Sequence, residues 1–337
     1  MPTFTAEAGT ALAFLIGYLV VFAWMLFAYL THLIKWRSRY SLIFFHIIVR
    51  IASQGLGIAF GVLGFSNTGV FLAFLILGAE GYFSLVLCAF RFLVSWHQHN
   101  LASGTSWLEP RETPPNANAN APKPPKKSRK LLVFIFLGPF ALVIYRNNPM
   151  VAIHSILVIA NVAIIIGGSY LAGADYNDLT SADTQRRLQV SKITRTAEQG
   201  VFLACNAVLL FAILQTIRND LRYGDRSQGK RMGPRVHPTL VLILLAWFPL
   251  MVRGTFGILQ SAIFELSYFN PDNYTSTGFK PSFTVIEYGL GVLPEFLTCV
   301  LLNLTYFTSR NDAPRRKQNE HEHERSTESL ELRTPLV

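Results

Sequence analysis

Apolar runs of about twenty residues recur along this chain, separated by short turns or charged segments, and that spacing limits the fold more than any other feature. Each run is long enough to cross a hydrocarbon core of ~30 Å at a helical rise of ~1.5 Å per residue. Seven can be marked: Thr10–Ile34, Ser41–Phe65, Gly69–Trp96, Met150–Ala172, Gln199–Ile217, Thr239–Leu266 and Thr284–Phe307. The expected fold class is therefore all-α, a polytopic membrane protein with seven transmembrane helices. With 51% hydrophobic and only 15% charged residues, the composition leaves too little polar surface for a water-facing exterior.

Basic residues orient the helices. Twenty-two of the thirty Lys and Arg fall in four segments, Lys35–Arg39, Arg111–Arg146, Arg218–Arg235 and Arg310–Arg333, which all lie on one side of a seven-span arrangement. The positive-inside rule makes that side cytosolic, with the N-terminus outside and the C-terminus cytosolic. The formal charge of +10 is thus absorbed by topology, and no basic cluster carries the interleaved aromatics that stack on bases, so nucleic acid is not an expected partner. The first partner is the lipid bilayer itself, in the plasma membrane or an endomembrane of the secretory pathway.

The organisation follows from the same runs. Residues 1–96 hold helices one to three, residues 97–149 form a cytosolic Pro/Lys-rich loop, residues 150–308 hold helices four to seven, and residues 309–337 read as a disordered cytosolic tail. Within the loop, 131–145 is apolar but covers only ~22 Å as a helix, and Lys130 and Arg146 bound it on both sides. It is expected to be interfacial or re-entrant, because an eighth span would move the later basic segments to the opposite side. The loop and the tail are the places where a cytosolic partner would attach. Asn273-Tyr274-Thr275 is a glycosylation candidate at Asn273, in a connection this topology places outside.

Ionisable residues inside the runs cost at least ~2.5 kcal/mol to insert, so they are paired, hydrated or near an interface. Arg253 lies fifteen positions into helix six and Glu295 twelve into helix seven, which puts both near mid-membrane. They are expected to pair, so that losing either destabilises the fold and losing both restores it. Arg50 and Glu80 make a second expected couple, with Gln54, His46 and Asn161 as neighbours. The five residues Arg50, Gln54, Glu80, Arg253 and Glu295 form either a ligand-binding cluster or a set of interhelical pairs that fixes packing, and the sequence leaves both open. Glu265 and Glu287 are read as hydrated at the outer interface.

Chemistry beyond this is sparse. Cys88, Cys205 and Cys299 lie in apolar runs without metal-ligand spacing, and His321-Glu-His-Glu324 sits in a charged tail, so no metal and no cofactor is expected. No nucleophile constellation converges, and an enzyme is not expected. Helix seven carries no Lys for a retinal Schiff base.

Three stretches, Trp247-Phe-Pro-Leu-Met-Val-Arg253, Phe269-Asn-Pro271 and Val292-Leu-Pro-Glu-Phe296, resemble those of a fungal family of seven-helix membrane proteins of unassigned function. The layout is more distantly similar to the fungal lipid-translocating exporter family, although the His-Glu motif of that group is missing before helix seven. The resemblance implies a fungal source and a sensor or lipid-handling role, and seven spans with charge at mid-membrane point to a receptor-like or lipid-handling protein with a lipid or other amphiphile as ligand. A secondary transporter or exporter of a small amphiphile is the alternative.

Overall fold

A computed structural model describes residues 5–101, 105–110, 148–172, 181–223, 236–268, 270–275, 278–310 and 312. Seven of its helices are long and apolar enough to cross a membrane. They are α1 (Ala6–Leu30), α2 (Tyr40–Leu63), α3 (Thr68–Asn100), α4 (Pro149–Ala172), α5 (Ala182–Tyr223), α6 (Pro238–Ala262) and α7 (Pro281–Ser309). Large apolar side chains point away from the bundle, with Phe211 67% and Val285 71% exposed. A rim of that kind is stable against hydrocarbon and not against water, which makes this a multi-span membrane protein.

Local signals set the helix ends. The Thr5 side chain caps α1 by accepting from the Ala8 amide at 3.3 Å. Gly64, at φ 57°, closes α2 in a left-handed conformation that only glycine adopts without strain. Asn67 then caps α3 through the Gly69 and Val70 amides. His237 caps α6 at the Thr239 amide, ahead of Pro238 in the first turn. α7 is α-helical to Ile286, widens to a π-helical segment over Glu287–Val292, and returns to α-helix from Leu293. Pro294 offers no amide and its ring would crowd the Leu290 carbonyl in a regular helix, so the wide segment, with Gly289 and Gly291 in it, relieves that clash.

Every helix packs on the next one in sequence, and α3 also touches α5, α6 and α7. Its buried Tyr82, Leu85, Cys88, Phe92 and Trp96 form the spine of the main core. A second, aromatic core lies at the opposite end from the tail, where the α6–α7 connection folds back. That connection contains a short antiparallel hairpin, β1 (Tyr274–Thr275) with β2 (Gly278–Phe279), and its Tyr268 and Phe279, with Phe283 of α7, pack against Phe60, Phe71 and Phe74 of α2 and α3.

Several boundaries differ from the sequence expectation. α1 is shifted toward the N-terminus and stops at Leu30, where His32 turns at φ 56°. α6 stops at Ala262, before a 3-10 turn at Phe264–Leu266. α5 begins at Ala182 instead of Gln199, giving 42 residues, or ~63 Å. Hydropathy alone ends that helix too early, because 182–198 is polar yet free of Pro and Gly, rich in helix formers, and braced by Arg187 on Asp183 at 2.7 Å. His97–Asn100, placed in the loop by sequence, complete α3, and His97 is buried between Ser106 and Thr216, each at 2.8 Å. The segment 131–145, most of the Pro/Lys-rich loop and the tail beyond residue 312 lie outside the described residues.

Candidate functional site

The inner face of α7 carries polar residues along its whole length, among buried apolar ones such as Val292 and Leu302. Thr284, Glu287, Glu295, Thr298, Asn303 and Thr305 are buried, while Val285, Leu290, Leu297, Leu304 and Phe307 on the other face are exposed. Three polar clusters follow this stripe.

The central cluster is built around Glu295, which is 1% exposed. Arg253 of α6 donates from Nε to its Oε1 at 2.7 Å, and Arg50 of α2 pairs through Nη2 with its Oε2. One carboxylate therefore serves two guanidiniums. The depth arithmetic brings Arg253 and Glu295 together, and the structure adds a second cation from a helix remote in sequence. The expected couple of Arg50 with Glu80 lies outside the described residues, because the Glu80 side chain is not among them. The Arg50 guanidinium passes over Gly81 of α3, where any Cβ would overlap it, and so reaches α7. On the way it donates to the carbonyls of Leu77 at 3.4 Å and Gly78 at 3.1 Å. Removing Arg253 and Glu295 together would therefore take from Arg50 its Glu295 partner as well.

Other helices close around this centre. Tyr82 of α3 lies under the Arg253 guanidinium, 5.9 Å from Cζ to ring centroid, and its hydroxyl sits against Gly254, where a Cβ would collide with it. Gln54, one turn from Arg50, is buried, and its Oε1 has no hydrogen-bond partner among the described residues. Gln199 of α5 is a member the sequence reading missed, having been placed at the end of a span. Its Oε1 and the Arg253 Nη1 both face Gly257. His46 is one turn from Arg50 on the other side and is held by Ser84 at 2.7 Å. Asn161 is on α4, which packs against α3 and α5.

The second cluster lies at the hairpin end. Glu7, in the first turn of α1, is fully buried and accepts hydrogen bonds from Tyr288 Oη at 2.8 Å and Thr284 Oγ1 at 3.3 Å. Sequence reasoning missed it because it precedes the apolar run. Glu287, expected in water, is instead 7% exposed and accepts from Gln260 Nε2. The folded-back connection covers this end, which is why the prediction of a hydrated Glu287 fails. Glu265 does stay exposed. Asn273 donates from Nδ2 to the Glu265 and Ser267 carbonyls, both at 2.9 Å.

The third cluster ties the tail-side ends together. Arg39 donates to Ser95 at 2.9 Å and to Ser309, and it stacks 5.0 Å from the Phe92 centroid. Asp312 accepts from Asn100 at 3.1 Å and lies 3.3 Å from His237 Nε2. Burial pushes the Asp312 carboxyl up, but hydrogen bonds from His237 and Asn100 outweigh it and hold the group below its ordinary value.

Among the described residues no group of His, Cys, Asp and Glu is arranged to hold a metal ion, and the three cysteines are free and buried. No protein-family model, curated protein or solved structure matches the chain. What stands is a helical protein with seven membrane-length apolar helices, without a family assignment.

Proposed function

We propose that this protein recognises a lipid or other amphiphile through its central polar cluster, in a receptor-like or lipid-handling role, with the cluster as the anchor for the ligand's polar end. The observation that carries this reading is the sharing of Glu295 between Arg50 and Arg253. Two guanidiniums on one carboxylate leave the centre with one positive charge in excess among these three groups. A carboxylate divided between cations on α2 and α6 joins three helices at one exchangeable contact, so a ligand group that takes over one arginine changes how those helices are held.

A secondary transporter is the second reading, favoured by the π-helical segment at Glu287–Val292 between the hairpin-end and central clusters. A thermal-shift screen of the purified chain in neutral detergent separates the two. Saturable stabilisation by a lipid or sterol supports recognition, flux of the same compound in proteoliposomes supports transport, and no stabilisation by any amphiphile refutes both.

A further inference from the structure

Among the described residues, the central cluster has more buried donors than its acceptors satisfy. Arg253 uses Nε on Glu295, while its Nη1 is buried with no hydrogen-bond partner among the described residues. Arg50 uses both terminal nitrogens, while its Nε is likewise buried without a partner among them. The two side chains are 6% and 2% exposed and meet one carboxylate, Arg253 at Oε1 and Arg50 at Oε2. Buried N–H groups of a cation are costly to leave unpaired, and the ligand chemistry that answers two guanidiniums is an oxyanion. The Tyr82 ring beneath the Arg253 guanidinium, at 5.9 Å, carries no formal charge and leaves that cation's charge in place.

We propose that the amphiphile's head group is anionic, a carboxylate or phosphate that accepts from Arg253 Nη1 and Arg50 Nε beside Glu295. This rests on the recognition reading above and narrows its ligand. Gln199 Oε1 and Gln54 Oε1, both buried acceptors without hydrogen-bond partners among the described residues, suit a hydroxyl next to the anion, as in a glycerol backbone. The apolar chain would lie among the apolar faces of the surrounding helices.

The test is the thermal shift of the full-length chain in neutral maltoside micelles with four probes: oleate, 1-oleoyl-lysophosphatidate, monoolein and inorganic phosphate. Saturable shifts with oleate and lysophosphatidate, and none with monoolein, are expected. A shift with phosphate alone as large as that with lysophosphatidate keeps the anion site and identifies its source as a free anion. Equal shifts with monoolein and oleate overturn the anionic assignment while leaving recognition intact. No shift with any probe overturns both. Arg253→Lys retains a cation for Glu295 but loses Nη1, so apparent affinity for the anionic probes should fall about tenfold. Unchanged affinity in a folded Arg253→Lys protein refutes the role of Nη1; should that variant not fold, the wild-type probe series decides the matter alone.

Discussion

Replacing Glu295 with leucine should be the most damaging single change in the bundle, and the reason is arithmetic on one carboxylate. Arg253→Met leaves Arg50 and Glu295 as a neutral pair and removes one charge-assisted hydrogen bond, a loss of ~1.5–3 kcal/mol. Glu295→Leu strands two guanidiniums, and removing the partner of even one buried charge costs ~3–5 kcal/mol. The double change Arg253→Met with Glu295→Leu still leaves Arg50 unpaired apart from the Leu77 and Gly78 carbonyls, so it should sit near ~3–5 kcal/mol and not recover. Only the triple change, with Arg50→Met added, removes all three charges that meet at Glu295 and should return close to wild type. Fluorescence-detected size exclusion of fusion proteins after a heating series gives the order directly. If Arg253→Met is as unstable as Glu295→Leu, or if the triple change is no better than Glu295→Leu, the shared-carboxylate account is wrong.

Four further outcomes are expected. Reporters placed after Arg39, at Asn118 and after Arg231 should report cytosol and one at Asp178 the lumen; a luminal signal at Arg231 refutes the orientation. Gly61→Ala should lower the melting temperature by an overpacking cost of ~1–3 kcal/mol, since its Cβ would meet the Ala8 amide nitrogen at 2.6 Å, and an unchanged melting temperature counts against that close approach of α1 and α2. An N-glycosylated amide keeps a single N–H, so Asn273 cannot hold both its carbonyl bonds and a glycan; the mature protein should show no mobility change on deglycosylation. Because the folded-state pKa of Asp312 is depressed, its contribution is fully present above the unfolded value of 3.8 and lost as pH falls through the folded value. The melting-temperature gap between wild type and Asp312→Asn should therefore close below about that pH, and a gap independent of pH refutes the linkage.

The spans were legible because a membrane helix must be apolar over a fixed length, a constraint visible in any window of the sequence. Arg253 and Glu295 were legible as a pair because they lie on consecutive helices at depths that simple counting estimates. Arg50 was not, since its route to Glu295 depends on α2 and α7 meeting across Gly81, a tertiary contact that no local pattern encodes. Glu7 was hidden for the opposite reason. An acidic residue just before an apolar run looks solvated, and only the hydroxyls of Thr284 and Tyr288 show that the first turn of α1 is inside. The polar start of α5 escaped because hydropathy marks where a helix enters lipid and not where it begins.

The wide segment at Glu287–Val292 gives α7 the properties of a slip joint in a drive shaft. A π-helical segment accommodates a surplus residue, and each residue of an α-helix turns the chain by ~100°. Were the surplus to travel past Glu295 toward the tail, that carboxylate would swing by about that angle away from Arg50 and Arg253 while Thr284, ahead of the wide segment, kept its hold on Glu7. Torque can thus be passed to one half of the shaft without the other half turning.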